Sequence, residues 1–275
     1  MAAELKAAGE EEEFKMAIKL EKLHEEKKKG KLSLLIKGSD EVFANTIRRL
    51  LIEEVPTLAV EDLEIKENNS ALYDEMLGLR LALIPIKTDL KSYNLKNQCK
   101  CNGEGCAQCE LTLSLKANKK GMVLASEAAS SDPKCIFVYP EMPVVKLIAK
   151  QKIDLTMKAV MGQGKEHAKW SPGTAFYKKE PTLTIGKVEN PELLAKKCTD
   201  GVLEISGNKV KVNQEKLYDS NLLELYSELD KGVQLSYTDN IIFIMESWGQ
   251  LTCKEMLQQT AEILSEKIEA LEKSL

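Results

Sequence analysis

The chain is short of arginine, histidine and aromatic residues, and each shortage excludes something. Only Arg48, Arg49 and Arg80 are arginine, so 36 of the 39 basic residues are lysine. Arginine offers a planar, permanently charged fork that lysine cannot copy. All three lie between Ser39 and Asp89, which marks that stretch as one where the fork matters. Histidine is limited to His24 and His167. His24 stands in a charged loop and reads as solvated. His167 has Glu166 beside it for base chemistry, but the sequence places no nucleophile within reach. At 5% aromatic content the core is expected to be mostly aliphatic.

Other absences bound the function. There is no G-x-x-x-x-G-K-[ST], H-E-x-x-H or G-x-S-x-G pattern, and the carboxylates are unpatterned, so an enzyme reading has little support. A net charge of −4 argues against a chain whose main task is gripping a polyanion. No apolar run approaches a membrane span, and the N-terminus lacks a basic-then-apolar signal. Residues 1–13, rich in alanine and glutamate with no apolar period, read as a disordered acidic tail. A cytoplasmic protein without a membrane partner is expected. In a reducing compartment, seven cysteines favour thiolates or metal over disulfides.

The strongest chemical signal present is Cys99, Cys101, Cys106 and Cys109, separated by one, four and two residues. Four thiolates can close a tetrahedral site, and Gly103 and Gly105 allow the backbone to fold sharply between the ligand pairs. With every position filled by cysteine, no site is left for water, which favours a structural ion over a catalytic one. Zinc is expected ahead of an iron–sulfur cluster, although both can use four cysteines. Cys135, in a strand, and Cys253, in a first helical turn, read as small core residues.

Along the chain, Phe14 to Leu20 and Leu32 to Ile36 alternate as a β-hairpin, joined by a lysine-rich loop from Glu21 to Lys31 that closes at Gly30. From Asp40 to Glu54, Phe43, Ile47, Leu50, Leu51 and Val55 share a helical face, and Pro56 ends the run. Val60, Leu63 and Ile65 predict a strand whose slipped alternation predicts a bulge. Asp74 to Leu83 is helical again, stopped by Pro85. Short strands follow at Leu111–Leu115, Met122–Ala125, Ile136–Tyr139 and Ile153–Met157 and suggest an inserted β-rich domain. It closes near 162–174. From Pro181 to Asp230, the order strand, helix 191–197, hairpin turned at Gly207-Asn208 and helix 221–229 is a small α+β module. Val233–Tyr237 and Ile241–Met245 then predict a hairpin around Asp239-Asn240. A capping box of Thr252 and Glu255 opens a last helix. Its apolar seam, Leu257, Ala261, Leu264, Ile268, Leu271 and Leu275, steps by four and three and calls for a partner helix, in this chain or another.

Several of these segments carry a family resemblance in their wording and order. They are Asn45, the Arg48–Arg49 pair, Glu54-Val55-Pro56-Thr57, the run from Leu79 to Pro85 (LRLALIP), the cysteine insert and the GKEHAKWSP segment at 164–172. Together they resemble the alpha-like family of cellular RNA polymerase subunits. The likeness is strongest to the family's archaeal branch and to the third-largest eukaryotic subunit, with similarity to the bacterial alpha N-terminal domain.

The resemblance implies an α+β fold in which residues 14–87 and 232–275 form one discontinuous dimerisation domain. A β-rich, zinc-bearing insert (88–175) and a ferredoxin-like module (176–231) are threaded between the halves. Many archaeal relatives carry cysteine-ligated clusters in that module. Here Cys198 stands alone while Tyr218, Asn221 and Glu224 occupy positions where cysteines are expected, so no iron–sulfur cluster is expected. The implied role is a non-catalytic platform that pairs with a small alpha-like subunit, subunit L, and supports small subunits N and P and the large catalytic subunits. DNA is met only indirectly within the complex. Phe43, Ile47, Leu51, Leu257, Leu264, Ile268 and Leu271 are the implied apolar partner residues, with Arg48, Arg49 and Arg80 for charge-assisted contacts. In the family, GKEHAKWSP implies packing and subunit contact. The competing reading is a free zinc-containing nucleic-acid-binding regulator, which needs a basic face around the cysteines.

Overall fold

The computed structural model describes residues 18–206 and 209–275. The tail expected over 1–13, Phe14 and Met16 of the first strand, and the Gly207-Asn208 turn lie outside the described residues. In chain order the strands are β1 (Lys19–Glu26), β2 (Lys31–Lys37), β3 (Thr57–Asn68), β4 (Glu110–Ala117), β5 (Gly121–Leu124), β6 (Ala128–Ser130), β7 (Pro143–Leu147), β8 (Ile153–Gly162), β9 (Gly173–Ile185), β10 (Leu203–Ser206), β11 (Lys209–Val212) and β12 (Val233–Ser247). The helices are α1 (Glu41–Glu53), α2 (Asp74–Ala82), α3 (Pro191–Lys197), the single turn α4 (Gln214–Leu217), α5 (Leu223–Leu229) and α6 (Cys253–Ser274). The mixed α/β composition agrees with the expected class.

The chain divides into two units. The larger contains Lys22–Leu34, Val42–Lys178 and Phe243–Leu275; the smaller contains the described residues up to Glu21, with Leu35–Glu41 and Lys179–Ile242. This corrects the expected division. Residues 14–87 and 232–275 do not separate as one body from the cysteine insert. The reason is strand pairing: in the larger unit β3 pairs antiparallel with β8, roughly a hundred residues later, within a sheet of order β3-β8-β4-β6. The expected boundary at 87/88 therefore cuts one sheet and one core. Leu58 and Val60 of β3, Leu77 and Leu81 of α2, Leu111, Leu113 and Leu115 of β4, and Leu155 and Met157 of β8 are buried together. Burying one such side chain contributes about 2 kcal/mol, so α2 and β3 share in the core that holds the insert. The core is aliphatic, as the composition predicts.

The expected bulge in β3 is present, with register shifts between Val60 and Asp62 and between Ile65 and Glu67. Ile136–Tyr139 is not a strand. Pro133 and Pro140 bracket the run, and among the described residues its only bridge is Phe137 with Ile86. β6 and β7 were not anticipated; β7 pairs with β5 in a two-stranded sheet. The clasp around 162–174 is tight. The Trp170 indole lies over Gly162, where a Cβ would come 2.4 Å from the ring, and its Nε1–H donates to Val160 O at 3.1 Å.

A further sheet has the order β1-β2-β12-β9. Two expectations change here. The lysine-rich connection is mostly strand: β1 continues to Glu26, and only Lys27–Lys29 form a 3-10 turn, closed by Gly30 at φ +65. Charged side chains suit β1 because it is an edge strand, where they blunt pairing with other chains. The expected hairpin at Asp239-Asn240 is instead one 15-residue strand, β12. A two-residue hairpin needs positive φ in its turn, and neither residue has it.

In the smaller unit, β10 and β11 pair as expected, and α3 and α5 bury Leu194 and Tyr226 against Leu217 and Val233. Glu180 ties this unit together by accepting from Tyr218 Oη at 2.7 Å, Thr238 Oγ1 at 2.9 Å and Asn240 Nδ2 at 2.8 Å. Burial and then the Glu180 carboxylate push the Tyr218 phenol up to about 12 from 10.0. The folded state thus keeps a proton that the unfolded state loses above about pH 10. That stability is complete below pH 10 and lost as pH rises towards 12. Tyr218→Phe is expected to cost about 1.5 kcal/mol at neutral pH through the lost bond to a charged acceptor. It should also flatten the alkaline limb, as read from urea midpoints at pH 8 and 11.

Candidate metal centre and partner-facing helices

The four cysteines come together at the foot of β4. A 3-10 turn at Lys96–Gln98 leads into Cys99, and Cys109 directly precedes the strand. Between them the chain passes through the left-handed region at Asn102 (φ 52), Gly103 (φ 85) and Gly105 (φ 99), a path that the two glycines permit. Gly105 has a second constraint: a Cβ there would lie 2.7 Å from Glu110 Oε1. The loop is closed by Asn94 N–H donating to Gln108 O at 2.8 Å.

All four sulfurs lie within 4.8 Å of one another. The separations are 3.4 Å for Cys99–Cys101, 3.5 Å for Cys99–Cys106, 3.5 Å for Cys101–Cys109 and 3.8 Å for Cys106–Cys109. A tetrahedral ion with metal–sulfur bonds of about 2.3 Å needs sulfur–sulfur edges of about 3.8 Å, so the tetrad has the size to hold one. Backbone N–H groups also face the sulfurs: Cys106 N–H donates to Cys109 Sγ at 3.2 Å and Gln108 N–H to Cys106 Sγ at 3.4 Å. The Gly105 N–H beside Cys101, followed by its thiol neighbours, lowers that thiol to about 6. Burial pushes Cys109 up to about 12. A cation that replaces the remaining protons resolves this conflict, since thiolate is the ligating form.

The other cysteines are not ligands of this site. Cys135 is fully buried in a turn, not in the expected strand. Cys253 opens α6, with its thiol donating to Gly30 O at 3.0 Å. Cys198 ends α3 in an apolar core, where burial pushes its thiol up to about 11. Tyr218, at a position expected of a cluster ligand in relatives, is bound to Glu180. His167 caps the 3-10 turn Ala168–Trp170, its Nδ1 accepting from Lys169 N–H at 3.1 Å.

The implied partner residues do not all face outward. On α1, Phe43, Ile47 and Arg48 are half-buried, but Leu51 is completely buried in its own unit. Leu51 is therefore core and unavailable to a partner: the expected helical face turns inward at its C-terminal end. Arg48 donates to Asn45 Oδ1 from Nε at 3.0 Å and from Nη2 at 2.9 Å. Arg49 pairs with Glu53 at 3.1 Å. Arg80 donates to the carbonyls of Val144 at 2.8 Å and Pro143 at 2.7 Å, tying α2 to β7. Of the contacts expected for it, within the platform or to the large subunits, its fork makes ones inside its own unit, on two backbone carbonyls.

The seam of α6 behaves differently. The stripe that packs on the unit contains the buried Met256 and Thr260. The neighbouring stripe of Leu257, Ala261, Leu264, Ile268 and Leu271 is one residue round the helix, and its last two members are 50% and 61% exposed. Sequence reasoning misses two features. The first is a second apolar stripe, Tyr73, Met76, Leu79 and Leu83, 49–80% exposed along α2; its i, i+3 spacing is visible but merges with that of the buried Leu77 and Leu81. The second is Glu54, whose carboxylate meets Lys165 and Lys267, each at 3.1 Å. No sequence signal pairs residues 213 positions apart.

Comparison with known proteins places these features in a family. Residues 63–174 match the model described as the RNA polymerase Rpb3/RpoA insert domain, a range that begins inside β3 and so agrees with the observed sheet. The chain is 36% identical to the DNA-directed RNA polymerase subunit Rpo3 of Methanosarcina acetivorans, over 83% of this chain and 88% of that protein. It is 32% identical to the subunit of the same name from Archaeoglobus fulgidus (90% and 95% covered) and 34% identical to that from Thermoplasma volcanium (89% and 95%).

Proposed function

We propose that this chain, which belongs to the Rpo3 family of DNA-directed RNA polymerase subunits, is a non-catalytic assembly platform of a multi-subunit polymerase. It pairs with a small alpha-like subunit similar to archaeal subunit L and supports small subunits N and P and the large catalytic subunits, in the cytoplasm. DNA is met only through the assembled enzyme. The observation that carries this reading is the α6 seam, which the chain's own unit leaves uncovered over Ile268 and Leu271. A heptad seam of this kind is buried by a partner helix. The tetrad holds one structural zinc, which fixes the loop 94–110 against β4 and contributes folding energy only. No helix among the described residues is long and apolar enough to cross a membrane.

The competing reading, a free nucleic-acid-binding regulator, needs a basic face at the cysteines. Lys96 there is paired with Glu110 at 3.0 Å, which leaves little positive charge to release counterions. The deciding experiment is expression of the chain alone and with the small alpha-like partner. A stoichiometric heterodimer supports the platform. A stable monomer indifferent to that partner, with salt-dependent affinity for DNA or RNA, would sink it.

A further inference from the structure

We infer that Glu54 is a positioning residue that sets how α6 presents its seam, an inference that rests on the platform reading for its partner half. The helix has two stripes with different tasks. Met256 and Thr260 are its buried residues, and on the same face, seven residues beyond Thr260, Lys267 reaches Glu54 Oε1 at 3.1 Å. At 1.5 Å per residue that contact lies about 10 Å beyond Thr260, and past it every residue from Ile268 to Leu275 is exposed. The Glu54–Lys267 pair is thus the furthest-out hold that the unit keeps on the helix.

Glu54 is itself firmly placed. It follows α1 directly, with its N–H donating to Leu50 O at 2.9 Å. Its carbonyl accepts from Gln163 Nε2 at 2.8 Å, and its other carboxylate oxygen meets Lys165 Nζ at 3.1 Å. The 162–165 turn cannot drift from α1: Lys165 N–H donates to Glu53 O at 2.9 Å, and a Cβ on Gly164 would lie 2.0 Å from Ile52 O. Both lysines sit at the negative end of α1, where cations are favoured. The Glu54 side chain is 18% exposed and that of Lys267 52%, so the pair is partly screened and its contribution is that of a modest surface ion pair.

This arrangement has a consequence for partner choice. With the seam written as a heptad whose core positions are Leu257, Ala261, Leu264, Ile268 and Leu271, Lys267 falls on the shoulder that would contact a partner helix. Glu54 holds that cation towards its own unit. Gln258, Ser265 and Ser274 make the remaining exposed shoulder largely neutral, and Glu272 is its one acid. The partner that fits is a helix with an apolar seam and a cation opposite Glu272, with no acid placed to meet Lys267.

The test uses the full chain and three variants: Lys267→Met, Glu54→Gln and Lys165→Met. Hydrogen exchange of residues 264–275 in the free chain reports the hold on the helix, because a short unanchored helical end frays. Calorimetric titration with the small alpha-like subunit reports the partner half. Lys267→Met and Glu54→Gln are expected to speed exchange of that segment about fivefold and to weaken the partner about fivefold. Lys165→Met removes one of the contacts that place Glu54 but leaves the Glu54–Lys267 pair itself, and should have a clearly smaller effect on both. Exchange and affinity unchanged in Lys267→Met overturn the inference, as does an equal effect of Lys165→Met, which marks general loosening of the turn. If the wild-type chain does not bind the small alpha-like partner at all, the platform reading fails; the exchange contrast among the variants then still decides whether Glu54 positions the helix.

Discussion

Replacing Cys109 by serine should strip the chain of its ion and unfold the loop 94–110. The metal content, read by elemental mass spectrometry, is expected to fall from one zinc per chain to none. The thermal transition of the larger unit should fall by at least about 10 °C, since apparent binding energies of structural zinc are about 10–16 kcal/mol and the loss of even a few is felt at this size. The physical reason lies in how little else holds the loop. Asn102, Gly103 and Gly105 sit in the left-handed region, and the sulfurs replace the apolar core that so short a segment cannot build. Cys109 is completely buried beside β4, so its loss also reaches the sheet. Cys253→Ser, which preserves a donor to Gly30 O, is the matched control and should retain the full metal content. The ion should also be released on acidification, because protons compete for the thiolates. An intact zinc content in Cys109→Ser would remove the metal centre from the account.

That tetrad is legible in the sequence because everything needed to build it is local. Ligands, glycines and the strand that follows are contained within 20 residues, so spacing alone carries the geometry. The same holds for the α6 capping box, where Thr252 Oγ1 accepts from Glu255 N–H at 3.2 Å and Glu255 accepts in return from Thr252 N–H at 2.8 Å, and for α3, found at the expected residues. Partnerships across long stretches of chain are illegible. The alternation of β3 reveals a strand but not that β8 completes its sheet, so the expected boundary runs through one core. β12 shows a subtler limit. A polar Asp-Asn pair between two apolar runs looks like a turn, yet Asn240 is held in the strand by Glu180, 60 residues earlier.

The apolar helix faces proposed to meet a partner are legible in the sequence, but which of their residues the chain itself buries is not, for one reason. A helical period shows that a helix has an apolar face; it does not show which side is already occupied. On α1 the face that includes Leu51 is buried by the chain itself. On α6 two apolar stripes, one residue apart, are separated only by what they touch. The family resemblance points to the right assembly, but the division between Met256 and Leu257 appears only when the unit is built. The scarcity of arginine marks a region of real structural use, although Arg80 serves two carbonyls of its own unit.

This division of α6 makes the sharpest test of the platform. In Ile268→Asp/Leu271→Asp, both changes fall on residues that are 50% and 61% exposed in the chain alone. The variant's own stability should therefore move by no more than about 0.5 kcal/mol for each change. Its affinity for the small alpha-like subunit should fall by at least about a hundredfold, because each residue forfeits roughly 2 kcal/mol of apolar burial and a partner seam must then also accept a carboxylate. Met256→Ala reverses the pattern. That side chain is completely buried in its own unit, so the truncation should cost about 2–5 kcal/mol of chain stability while leaving the seam residues in place. Urea unfolding and titration calorimetry on the two variants separate a residue that holds the helix down from residues that hold a partner. If Ile268→Asp/Leu271→Asp binds the small alpha-like partner as tightly as the unmodified chain, the seam is not the interface.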